Sequence, residues 1–315
     1  MSGDLPPNAS LANEPLITCV PNFSAGDPKT LAKIVSAMQT DGASLLDYSC
    51  DAAHNRSVVT IAGVPAAVVE SALRGVIKAA QLIDLTRQTG VHPRIGAADV
   101  IPFVPVHGVS LAECATLARQ AAMQMWMRAG VPVYLYEAAA TRPDRINLED
   151  VRRGQFEGLR DAVRSDPSRR PDIGGPDLHP TAGASAVGAR NFLIAYNLFL
   201  DQPDMGAARA IAREMRGSGG GLFGVKAIAV AVNGRAQVSM NITDPRRSPM
   251  NQVYRAAAES ARRHGAAITE AELIGLIPAF AYDPNDEWIR PIQQFDPELR
   301  ILERRLLAPV AWPQG

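Results

Sequence analysis

Apolar positions in the first third of this chain switch between a spacing of two and a spacing near 3.6, the marks of strand and helix. Leu16-Ile-Thr-Cys-Val20 reads as a strand that Pro21 ends. Asp27-Pro28 opens a helix, with Asp27 as N-cap and Pro28 in the first position; its apolar face is Leu31, Ile34, Val35 and Met38. Strands over Ser44 to Tyr48 and Val58 to Ala62 follow the Asp41-Gly42 turn, the second rich in β-branched residues. From Pro65 to Thr89 the apolar residues Val68, Val69, Ala72, Leu73, Val76, Ile77, Ala80 and Ile83 trace one face of a long helix, with Gly90 as its C′ glycine. A strand over Val100 to Val106 completes the order β-α-β-β-α-β. A helix from Ser110 to about Arg128, ending at Gly130, and a strand from Val131 to Tyr136 come next.

Thr141 to Pro180 is rich in Arg, Asp, Pro and Gly and predicts short helices and a loop. Beyond it the pattern repeats in kind: strand Phe192 to Leu200, helix Met205 to Arg216, strands Val225 to Val232 and Ala236 to Ile242 joined by Asn233-Gly234, helix Pro249 to His264, and an apolar stretch through Leu273 to Ile277. Asn-Gly between alternating runs is the strongest short hairpin signal. The fold class expected is therefore α/β (α+β): two ferredoxin-like βαββαβ subdomains. In such a unit both helices cover one sheet face. Two sheets packed face to face, helices outside, bury the other most economically and leave a cleft as the default site. The expected division is an N-terminal extension over 1–15, a first subdomain over 16–184 and a second over 185–308.

Composition narrows the function. Apolar residues make up 47% of the 315 and charged residues 20%, enough for a sizeable core. Thirty-two basic residues balance thirty-two acidic ones, so no global charge favours nucleic acid or an anionic membrane, and any anion site must be local. Cys19, Cys50 and Cys114 form neither a CxxC pair nor a ligand cluster, which argues against a disulfide framework or a bound metal. The polar, proline-containing start has no apolar signal region, and no eighteen-residue apolar run occurs. The expected setting is a cytoplasmic, reducing one.

Among five histidines, His92 stands out. It lies in Gly90-Val-His-Pro-Arg-Ile-Gly-Ala-Ala-Asp99, past a helix end, in a loop stiffened by Pro93. An imidazole of ordinary pKa suits proton transfer there; a helix-capping histidine would suit the same place. Asp47-Tyr-Ser-Cys-Asp51 and His54-Asn55-Arg56 crowd a connection between strands, where Asp51 could orient His92 or simply form an Asx turn. Gly219 to Gly224 formally matches GxGxxG but follows a helix and precedes a strand, which excludes a dinucleotide site. Gly174 to Gly188 is full of small residues. If a helix starts near Ser185 its N–H groups could face a carboxylate; otherwise the segment is a linker.

Several of these stretches together resemble a known family. Cys19-Val-Pro-Asn-Phe-Ser24, Leu46-Asp47 with Asn55-Arg56, Leu82-Ile-Asp84 before His92-Pro-Arg-Ile-Gly-Ala97, Asp99-Val100 with Pro102-Phe103, Val131-Pro-Val-Tyr-Leu-Tyr136, Gly188-Ala-Arg190, Ala236-Gln-Val-Ser and Gly275-Leu-Ile-Pro278 are similar to the formiminotransferase domain of glutamate formimidoyltransferases, over roughly residues 16 to 307. The resemblance implies transfer of the formimino group from N-formimino-L-glutamate to N5 of tetrahydrofolate, in histidine degradation, by a homodimer. Formyl transfer between 5-formyltetrahydrofolate and glutamate, or folate binding without catalysis, are the alternatives. It places the catalytic histidine at His92. The folate loop falls on Gly174, Gly175, Pro176, Asp177, Leu178, His179, Pro180, Thr181, Ala182 and Gly183. Asn22, Asn55, Arg56, Arg94 and Arg190 are the substrate-binding candidates, the arginines as clamps for glutamate carboxylates. Two departures stand out. An aspartate of animal members is replaced by Ser49, so Asp51 is expected to supply that carboxylate to His92. Leu178 to Ala182 replace larger aromatic residues. No cyclodeaminase part is present in the chain, so a separate protein is expected to act downstream.

Overall fold

The computed structural model describes residues 14–88 and 92–314, which divide into two compact units. The first comprises residues 14–190 and 308–314, the second Asn191–Leu307. The expected extension lies outside the described residues to residue 13, as does Gly90.

In the first unit β1 (Leu16–Cys19) and β2 (Asn22–Phe23) are two pieces of one strand line, parted at Val20-Pro21. Both pair antiparallel with β4 (Arg56–Gly63) on one side and β5 (Ala98–His107) on the other. Proline has no N–H to give a ladder, so the break falls where the sequence puts it. Helix α1 (Pro28–Ala37) starts as expected: Asp27 Oδ1 accepts from the N–H groups of Lys29 and Thr30, both at 3.0 Å. Strand β3 (Ala43–Asp51) pairs with β4, and α2 (Pro65–Leu82) leads to β5. The order β3-β4-β1/β2-β5 is the ferredoxin-like arrangement the pattern predicts.

Helix α2 stops at Leu82, short of the expected Thr89. Asp84 bends the chain away: its Oδ1 accepts from the Thr86 amide at 3.0 Å and the Thr86 hydroxyl at 2.6 Å, capping a single 3-10 turn.

The sheet then grows beyond the basic unit. Helix α3 (Leu111–Ala129) opens on a capping box between Ser110 and Glu113 and closes on left-handed Gly130. It leads to β6 (Val133–Glu137), and the short α4 (Leu148–Val151) and α5 (Gln155–Ser165) follow. Strand β7 (Ser185–Ala189) enters between β5 and β6, parallel to both. Ser185 thus begins a strand of the first sheet, not a helix, because Ala186 and Val187 are buried between two neighbours. With a partner on each side, β5 is buried from Ala98 to Val104, as strands covered on both faces are.

The second unit is β8 (Ile194–Leu200), α6 (Met205–Met215), β9 (Val225–Val232), β10 (Arg235–Ile242), α7 (Met250–Arg263) and β11 (Ile268–Ile274). Its sheet order, β11-β8-β10-β9, is again ferredoxin-like. Asn233 and Gly234 both take positive φ, 50° and 76°, the turn their pairing predicts. The glycine-rich link before β9 is a packed turn: the Gly221 amide donates to Arg216 O at 3.0 Å and the Leu222 amide to Met215 O at 3.2 Å. After α8 (Pro297–Arg300) and α9 (Leu302–Leu307), the Val310 amide donates to Leu45 O at 2.8 Å in the first unit. Among the described residues no helix is long and apolar enough to cross a membrane.

Candidate active site around His92

The break between β1 and β2 sets the first side chain of the site. Asn22 Nδ2 donates to Val20 O at 2.7 Å. That leaves Oδ1 facing Arg56, which donates to it from Nη2 at 2.8 Å and Nε at 3.2 Å. Arg56 opens β4, and its Nη1 meets Asp99 Oδ2 at 2.8 Å. Asp99 is fully buried on β5; its Oδ1 accepts from the Ile95 amide at 2.9 Å, and its Oδ2 takes a second guanidinium, that of Arg152. Arg152 caps α4 at its C-terminus, and its Nε is buried without a hydrogen-bond partner. Two guanidiniums on one carboxylate leave one positive charge in excess.

Charge and burial set the protonation states. Burial works to raise the Asp99 carboxyl, but Arg152 and Arg56 outweigh it and hold it below the usual range. Burial and then Arg152 bring Arg56 down to about 10, against Asp99, so it stays cationic at neutral pH. Half-buried His92 is pushed down to about 3, first by burial, then by Arg56 and Arg152. Its Nδ1 sits 2.9 Å from Pro93 O. A carbonyl oxygen only accepts, so Nδ1 carries the proton and Nε2 presents a lone pair. The result is a neutral imidazole of fixed tautomer beside a cationic pair.

The other expected residues take different places. Asp51 ends β3 rather than lying in a loop, and its carboxylate holds His54, not His92. Oδ2 pairs with His54 Nδ1 at 2.8 Å and Oδ1 accepts from the His54 amide at 3.0 Å. The His54 ring in turn approaches His92 edge-on, centroids 6.5 Å apart. Asn55 Oδ1 accepts from the Gly26 amide at 2.8 Å, tying this turn to the start of α1. Arg94 does not join the cluster: its buried Nη2 donates to Gln88 O at 2.8 Å and Glu157 Oε1 at 3.0 Å. Arg190 follows β7, with its backbone amide on Phe103 O at 3.0 Å and its side chain bonded to buried Tyr136.

The segment Gly174 to Gly183 is stitched to the His92 loop. Gly96 and Gly183 face each other in an antiparallel bridge, the Ala184 amide donates to Ile95 O at 2.9 Å and the Ala97 amide to Ala182 O at 2.9 Å. The approach is too close for a side chain: a Cβ on Gly183 would meet Ile95 O at 2.1 Å, and one on Gly96 would meet Ala184 O at 2.0 Å. His179 closes the turn, its Nδ1 accepting from the Ala182 amide at 3.0 Å. Pro176, Leu178 and Pro180 line a cleft of about 280 Å3 with Trp126 and Pro132. Among the described residues no His, Cys, Asp and Glu group could hold a metal ion.

Two residues of this neighbourhood were not singled out by the sequence as acting there, Asp99 and Arg152, and His54 entered only as part of the His54-Asn55-Arg56 stretch. Asp99 appears in the family resemblance only as part of a motif. Arg152 is one arginine in a stretch of many, and nothing in its spacing marks it.

Known proteins resemble the chain over both units. Residues 16–190 match the model of the formiminotransferase domain, N-terminal subdomain, and residues 195–296 that of the formiminotransferase domain. The chain is 41% identical to a glutamate formimidoyltransferase of Streptococcus pyogenes serotype M1, over 93% of this chain and 99% of that one. It is 39% identical to one of Thermoplasma acidophilum, over 92% and 97%. A formimidoyltransferase-cyclodeaminase of Dictyostelium discoideum is 37% identical, over 84% of this chain and 50% of its own length. The chain belongs to the formiminotransferase family.

Proposed function

We propose that this chain transfers the formimino group of N-formimino-L-glutamate to N5 of tetrahydrofolate, with His92 as the proton acceptor. The observation that carries the reading is the neutral, tautomer-fixed imidazole beside a pair of guanidiniums with one positive charge to spare. Both substrates end in glutamate carboxylates, and the excess positive charge of the Arg56–Arg152–Asp99 cluster attracts such an anion, so Arg56 and Arg152 form the clamp. Asn22 and Asp99 hold its geometry. The segment Gly174 to Gly183 takes the folate, which its small residues and its bridge to Gly96 favour. Arg94, Asn55 and Arg190 support the loops around this site.

Attack on the amidine carbon makes N5 acidic. A weak base then suffices to take its proton, and His92 Nε2 is such a base. Two substrates held in one site remove much of the association entropy from the bond-forming step. The free thiols Cys19, Cys50 and Cys114 fit a cytoplasmic, reducing setting, and the family resemblance favours a homodimer, which sedimentation velocity tests. For the activity, the purified protein is given tetrahydrofolate with formiminoglutamate or with formylglutamate. Turnover with the formimino donor supports the proposal; turnover with the formyl donor alone, or folate binding without turnover, overturns it.

A further inference from the structure

The reaction needs two proton movements in opposite senses. N5 loses a proton as its bond to the amidine carbon forms, and the glutamate nitrogen gains one as its bond to that carbon breaks. His92 can meet only one of the two substrate nitrogens at a time, because its Nδ1 is engaged by Pro93 O at 2.9 Å and Nε2 alone faces outward. A second imidazole stands beside it. His54 is three residues from Asp51, in the turn between β3 and β4, with its side chain about four-fifths buried. The Asp51 carboxylate is fixed at both oxygens, one on the His54 amide at 3.0 Å and one on Nδ1 at 2.8 Å. Nδ1 is thereby the ring's anchored atom, and Nε2 is the atom available for proton transfer. A carboxylate behind an imidazole orients it and compensates the charge of its protonated form. The ring stands at 66° to His92 with centroids 6.5 Å apart, close enough for both to serve one tetrahedral carbon.

We infer that His54, held by Asp51, is a second acid–base residue of the transfer: it gives a proton to the departing glutamate nitrogen while His92 accepts the one leaving N5. This rests on the formimino-transfer reading. The balance closes: the N5–C bond forms and the C–N bond to glutamate breaks. His92 gains one proton, His54 loses one, and exchange between the rings or with water restores both. The titratable groups that face His54 are Asp51 on its own turn and His92 across from it.

The test compares parent, His54→Gln and Asp51→Asn for kcat and KM with formiminoglutamate and tetrahydrofolate from pH 5.5 to 9, after circular dichroism has shown each to be folded. A general acid contributes about 10²–10⁴-fold. In the expected result His54→Gln loses about 100-fold or more in kcat with KM little changed, and its profile loses the alkaline fall that the parent shows. Asp51→Asn, which can no longer hold the imidazole through a carboxylate, loses about 10–100-fold in kcat with KM little changed. A His54→Gln rate within about threefold of the parent, or a lower rate with the parent's profile unchanged, overturns the inference and leaves the function standing. A His54→Gln variant that does not fold passes the decision to Asp51→Asn, where a kcat within about threefold of the parent overturns the inference. A parent that never turns over the formimino donor overturns the function itself and the inference with it.

Discussion

Arg56 meets Asp99 at 2.8 Å where the carboxylate is completely buried, so this ion pair is shielded from solvent in a way no surface pair is. Its worth lies in arrangement rather than in net stability, since desolvation offsets most of the attraction. Breaking it is another matter. Asp99→Asn leaves two guanidiniums facing each other without a counter-charge, and the expected cost is about 3–5 kcal/mol. Urea denaturation measures it; a loss under about 1 kcal/mol would mean the cluster relaxes freely.

In the proposed clamp Arg152 serves substrate as well as its ion pair with Asp99. Removing a charge-assisted contact to a substrate carboxylate costs about 1.5–3 kcal/mol. Arg152→Gln is therefore expected to raise KM for formiminoglutamate by about 10–100-fold, with a smaller change in kcat. Steady-state kinetics at saturating folate show it, and an unchanged KM would remove Arg152 from the clamp.

The bridge between the His92 loop and the candidate folate loop depends on two glycines. Gly183 has φ +70° and no room for a Cβ. Gly183→Ala is expected to cost about 1–3 kcal/mol and to raise amide exchange at Ala184 and Ala97. Protection at both amides equal to the parent's would show that the bridge tolerates a side chain.

The depressed His92 pKa gives stability a definite pH dependence. The unfolded chain protonates this residue near its ordinary 6.5, the folded chain only near about 3. Between those values the unfolded state binds more protons, so stability falls as pH is lowered through that window. His92→Gln should lack this component of acid sensitivity. By NMR, the His92 ring should stay neutral from pH 8 to pH 5, and should titrate higher once glutarate or another dicarboxylate occupies the arginine pair. A ring that titrates near 6.5 in the free protein contradicts the electrostatic picture.

Much of this was legible in the residues. The N-cap at Asp27, the Ser110 start of α3, the Gly130 stop and the Asn233-Gly234 turn are local, set by side chains within a few positions, and the pattern placed them. The double βαββαβ order followed from periodicity alone. What was not legible depends on partners far along the chain. Strand β7 inserts between β5 and β6, so Ser185, expected in the second half, belongs to the first sheet. Asp99 and Arg152 are 53 positions apart and meet only once β5 and α4 are packed. Asp51 was expected to hold His92, but the nearer histidine, His54, takes it through a three-residue turn.

The most direct test of the account is the rate of His92→Ala. With formiminoglutamate and tetrahydrofolate both saturating, the variant should fold, bind folate as the parent does, and lose about 10²–10⁴-fold in kcat. A folded His92→Ala enzyme that turns over within a few-fold of the parent would contradict it.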